Sequence, residues 1–139
     1  MVNFAAAPSL TLDEVADGSG FADAVPEAEP AIDLVHLSRQ TFGDHELERE
    51  LLTLFERQAT QFEDRLSAPV APGTNVWRAE LVHTLKGSAR AVGAFGVARA
   101  AETYEESLRK GESLSPAGKR LASAIENART TILDLLTQG

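Results

Sequence analysis

Residues 47–66 read Leu-Glu-Arg-Glu-Leu-Leu-Thr-Leu-Phe-Glu-Arg-Gln-Ala-Thr-Gln-Phe-Glu-Asp-Arg-Leu, and their spacing decides the fold class. Leu47, Leu51, Leu54, Phe55, Ala59, Phe62 and Leu66 recur at steps of three and four. That is the period of a helix with one buried face. Charged residues interleave on the other side, with Glu48, Glu56, Glu63 and Asp64 read as its outer face. No alternation with a period of two competes with this pattern.

The same period continues in both directions. Upstream, Ile32–Thr41 reads as a short helix with Ala31, Val35, Ser38 and Phe42 along one side. Gly43 and Asp44 end it and cap its successor. Downstream, Pro69, Pro72 and Gly73 break the long helix, and Thr74 or Asn75 can cap a third. Gly93 supplies a turn, after which Ala94, Val97, Ala98, Ala101, Tyr104 and Leu108 face inward from a fourth helix. Lys110-Gly111 closes it with a cation in the last turn and glycine beyond. Ser115-Pro116 reads as an N-cap followed by proline at the first helical position. The last helix then packs through Leu121, Ala124, Ile125, Ala128, Ile132, Leu135 and Leu136. No segment reads as a strand. Short loops between long amphipathic helices make antiparallel neighbours. The expected fold is therefore all-α: an antiparallel four-helix bundle, residues 31–139, with an additional short N-terminal helix.

Composition narrows the chemistry. The 139 residues contain no cysteine, which excludes disulfides, thiol catalysis and thiolate metal sites. No run approaches the roughly 18 apolar residues of a membrane span. The first ten residues carry no Lys or Arg, unlike a signal peptide, so the cytoplasm is the expected compartment. The net charge of −8 is uneven. Residues 1–30 hold Asp13, Glu14, Asp17, Asp23, Glu27 and Glu29 with no base, and read as an acidic, disordered extension. The remainder is nearly neutral, which argues against nucleic-acid binding. Glycines 87, 93 and 96 match neither a dinucleotide-binding nor a P-loop pattern.

The third helix carries the chemistry. Counted at about 100° per residue from Trp77, the residues Trp77, Leu81, Leu85, Ser88, Ala89 and Val92 fall within one arc of about 120°. Lys86 then lies near about 180°, Arg90 near about 220°, His83 near about 240° and Gly87 near about 280°. The imidazole points away from the core, with Lys86 and Arg90 close to it. A neutral imidazole, with an unperturbed pKa of about 6.5, is a competent nucleophile near neutrality. Gly87, one turn on, leaves the approach to the ring clear. Lys86 and Arg90 can reach phosphoryl oxygens placed at the ring nitrogen. A glycine inside a helix costs about 1 kcal/mol relative to alanine, which close approach of a partner would explain. Trp77 reads as a core anchor, and Ser88, on the apolar arc, reads equally as a packing or back-bonding residue or as a functional one. His36 and His45 form no Glu-x-x-His pair, and a bundle metal site is not expected.

His83, Leu85, Lys86, Gly87, Ser88, Ala89, Gly93 and Ala94 resemble the signature of the histidine-containing phosphotransfer (HPt) domain family, His-x-Leu-Lys-Gly-Ser-Ala/Ser followed by Gly-Ala. The resemblance implies a phosphocarrier. His83 would take a phosphoryl group from a receiver-domain aspartate and pass it to another, in a multistep two-component phosphorelay. Lys86 would steady the phosphoryl group, Gly87 give access and Ser88 support the helix or a partner contact. Arg90 is added from helix geometry, since the family varies there. The partners implied are receiver domains of response regulators or hybrid histidine kinases, met by a monomer. This chain itself would bind no cofactor, the Mg²⁺ belonging to the receiver. Val76 and Ala79 would form an apolar rim for docking. Dimeric sensor kinases carry an acidic residue directly after their histidine, whereas Thr84 stands here. No ATP-binding or receiver segment is recognisable either, so no intrinsic kinase activity is expected. The competing expectation is a helical adaptor or kinase-docking inhibitor that carries no phosphate.

Overall fold

The computed structural model describes residues 29–138, and the reading of the acidic extension falls on residues outside that range except at its last two positions. Among the described residues there are five helices and no strand: α1 (Leu34–Gln40), α2 (His45–Leu66), α3 (Asn75–Val92), α4 (Phe95–Lys110) and α5 (Ser115–Gln138). Helices α2 to α5 close a ring in which α2 meets α3, α3 meets α4, α4 meets α5 and α5 returns to α2. The short α1 lies against α2 and α3. This is the expected four-helix bundle with an extra N-terminal helix.

The apolar stripes account for the ring. Phe55, Leu85, Val97, Leu121, Ile125 and Ile132 are all buried at its centre. Ala59, Ala89, Ala98, Ala101 and Ala128 are buried beside them. Small side chains at those positions let the helix axes approach closely. The turns follow local chemistry. Asp44 caps α2 by accepting from the Leu47 amide, as its position after Gly43 predicts. Gly111 ends α4 in the left-handed conformation at φ +71°.

Several faces differ from the sequence reading. In α1 the buried side chain is Leu37, flanked by Ile32 and Thr41, whereas Val35 is exposed and Phe42 is 96% exposed. The reason is a later start. Asp33 caps α1 through the His36 amide, which turns the Leu37 side to the core. Phe42 itself sits at φ +55°, outside the helix. In α2 Leu52 is buried while Leu47 and Leu54 face solvent, a rotation of the stripe about the helix axis. Glu56 and Glu63 are half-buried rather than outward, because Arg129 of α5 lies 3.1 Å from Glu56 and 3.7 Å from Glu63. Thr74 precedes α3, but its hydroxyl donates to the Ala71 carbonyl instead of capping the helix. Helix α5 begins at Ser115 itself, one residue earlier than a Ser115 cap would give.

One turn needs its glycine for two reasons. Gly93 ends α3 at φ +85°, a conformation that costs an L side chain about 1–2 kcal/mol. A Cβ there would also meet the Asp33 carbonyl oxygen at 2.7 Å, since the Asp33 amide donates to the Gly93 carbonyl at 2.9 Å. The obstructing atom is backbone and cannot swing aside. Gly93→Ala is therefore expected to cost at least about 2 kcal/mol and to loosen α1. Urea unfolding checks the first, and amide exchange at Asp33 and Leu37 checks the second.

Candidate functional site

His83 lies midway along α3, and its side chain is 72% exposed. The neighbours that hold it there are Leu81, Val82, Leu85 and Ala89, which are buried and fix the helix phase. Gly87 has no atom within 4 Å of where a Cβ would stand, so the space beside the ring is open. Both placements agree with the helical wheel.

The structure adds a residue that the wheel of α3 could not supply. Glu105, on the facing surface of α4, spans the gap between the two helices. Its Oε2 lies 3.0 Å from His83 Nδ1, and its Oε1 accepts from Lys86 Nζ at 2.6 Å. Lys86 is thus not a free cation: only 14% of its side chain is exposed, against 20% for Glu105. Burial by itself would push the Glu105 carboxyl up. The hydrogen bonds from Lys86 and His83, with their charges, outweigh that and hold it below the usual carboxylate range. An ionised carboxylate can only accept, so His83 Nδ1 carries the ring proton. In the neutral ring Nε2 keeps the lone pair.

Arg90 stands apart from this trio and lies 3.7 Å from Glu102. Val76 is 71% exposed, two turns before His83, while Ala79 between them is half-buried. Ser88 is half-buried. Tyr104 is buried, as the inward stripe of α4 predicts, and Glu105 beside it is half-buried although it carries a charge. A signal for Glu105 was present. It follows the buried Ala101 by four residues, which puts it at the edge of the inward stripe of α4. Among the described residues no cluster of acids and histidines could hold a metal ion. His45 pairs with Glu48 at 3.3 Å, and the His36 ring packs edge-on against Phe95.

An antiparallel helical bundle that displays an imidazole, with a carboxylate on one ring nitrogen and the other nitrogen open, has the form of a phosphotransfer module. The model of the Hpt domain matches residues 50–138, nearly all of the four-helix ring, and the chain belongs to that family. Hpt domains carry out histidine phosphotransfer in two-component phosphorelays, interacting there with receiver and kinase domains. No curated protein and no solved structure matches the chain. Among the described residues no helix is long and apolar enough to cross a membrane.

Proposed function

We propose that His83 is the phosphoryl-accepting residue, and that the chain shuttles a phosphoryl group between receiver-domain aspartates and His83 Nε2. The observation that carries this reading is the Glu105 bridge to both His83 Nδ1 and Lys86 Nζ. Attack by Nε2 on an aspartyl phosphate forms the N–P bond and breaks the P–O bond, returning the aspartate as a carboxylate. The ring keeps its Nδ1 proton and becomes cationic. Glu105 sits where that positive charge appears, as the buried acid of a hydrolytic triad does beside its histidine. The reverse transfer leaves from the same cationic ring, so one carboxylate serves both directions.

Lys86 keeps two N–H groups beyond the one given to Glu105 and can turn them to the phosphoryl oxygens. Gly87 leaves room for the receiver's surface. Arg90 would join only by leaving Glu102, which makes its share the smallest of the four. The divalent cation belongs to the receiver. Val76 and Ala79 supply the apolar rim on which a receiver seats, an interface of modest area suited to several partners.

The test is to mix the chain with a phosphorylated receiver domain and Mg²⁺ and to follow its intact mass at neutral and acid pH. An acid-labile phosphate adduct supports the reading. Binding to several receivers with no adduct would establish the adaptor reading instead. Glu105→Gln keeps an acceptor for Nδ1–H but loses the negative charge, so phosphoryl uptake should slow by about 10- to 100-fold. The same variant has a pH signature. A carboxyl whose pKa falls on folding stabilises the fold above its unfolded pKa, and that share is lost as pH drops through the folded value. The stability gap between wild type and Glu105→Gln should thus close on acidification below about pH 4. A gap that stayed constant down to pH 2 would contradict the ion-pair account.

A further inference from the structure

A cavity of about 550 Å³ opens at the end of the bundle where α2 stops and α5 begins, and the phosphotransfer reading does not use it. Its floor is apolar, formed by Leu66, Leu121 and Ile125, while Ser67, Val70, Ser115 and Lys119 stand at the exposed rim. Size and lining fall within the range of small-molecule pockets.

Glu63 also lines the cavity, half-buried, with its carboxylate 3.7 Å from Arg129 Nη1, and two polar groups at the inner wall bear on what could enter. Arg78 is fully buried and has no ion pair among the described residues. Its five N–H groups go to neutral acceptors: the Thr74 and Tyr104 hydroxyls and the carbonyls of Leu66, Ala68 and Pro69. Carbonyl dipoles at the end of α2 offset part of the cost of burying that charge, but no anion does. Tyr104 is 2% exposed and accepts from Arg78, and its own O–H proton has no acceptor among the described residues. A buried donor without an acceptor is costly and therefore uncommon. The cavity thus offers an apolar body, one unspent hydroxyl donor beside a buried cation, and a lysine at its mouth.

We propose that this cavity is a binding site for a small organic acid with an apolar body, such as a medium-chain or aryl monocarboxylate. The carboxylate accepts from the Tyr104 hydroxyl, in the field of Arg78, and the chain or ring lies on Leu66, Leu121 and Ile125. A reporter is built in. The single tryptophan of the chain, Trp77, has the Arg78 guanidinium carbon 4.6 Å from its ring centroid.

Octanoate titrated into the full-length chain should change Trp77 fluorescence saturably. Octanol, with the same body and no charge, should bind at least tenfold more weakly. Tyr104→Phe should weaken octanoate at least tenfold, and Ala122→Phe, which fills the cavity from the half-buried wall, should abolish binding. His83→Gln should bind octanoate like wild type, which separates this site from phosphotransfer. Three results would overturn the proposal. These are no saturable change in wild type, octanol binding as well as octanoate, or full affinity in Tyr104→Phe. The last two comparisons stand even where Ala122→Phe fails to fold.

Discussion

His83→Gln is expected to take up no phosphoryl group from a phosphorylated receiver, a loss of at least about a thousandfold. Glutamine fills similar space, but its amide nitrogen has no free lone pair and cannot attack phosphorus. The exposed position of His83 means that the substitution removes little packing, so stability should change by no more than about 0.5 kcal/mol. Intact-mass analysis beside a urea melt separates the two effects. The other histidines make this a sharp test. His36 has its Nε2 buried with no hydrogen-bond partner. His45 mimics the His–carboxylate contact through Glu48, yet it stands at the start of α2 with Glu46 as a close neighbour and no lysine on its carboxylate. An acid-labile adduct surviving in His83→Gln would move the phosphoacceptor to His45 and sink the proposed assignment.

Arg78→Ala should be the most damaging single change to the fold, at about 3–5 kcal/mol. The guanidinium joins three elements. It ties the carbonyls that follow α2 to α3 and reaches the Tyr104 hydroxyl of α4. Alanine would leave those acceptors without their donor and would empty a large buried volume. The fall in melting temperature should exceed about 10 °C for a bundle of this size. Arg78→Lys restores the charge but only three donors for five acceptors, so it should recover part of the loss. A melting temperature for Arg78→Ala within about 2 °C of wild type would show that water takes over the guanidinium's role.

Much of this was readable from periodicity, because leucine and alanine at steps of three and four leave little freedom in helix phase. The exposed imidazole and the open side at Gly87 follow from that phase alone. On the wheel that sets Trp77 at zero, Arg78 lies at about 100°, inside the apolar arc and toward its edge. Its charge argued for the surface, and only the three-dimensional supply of carbonyls at the end of α2 reverses that. Glu105 was harder. Its partners are 22 and 19 residues away in sequence, and pairing across two helices depends on their relative sliding, which no single-helix pattern contains. The α1 face was misread because seven residues give less than two full turns, too few to fix a phase.

The clasp between Asp33 and Gly93 also bears on how the bundle can be wired into a longer polypeptide. It brings the start of α1 to the end of α3, while Arg49, in the first turns of α2, donates to the Leu136 carbonyl near the end of α5 at 2.7 Å. Since α1 spans only about 10 Å, the polypeptide enters and leaves the bundle at one end. His83 sits halfway down the long axis, away from both attachment points. Both attachment points of the bundle therefore lie at the same end, away from the imidazole.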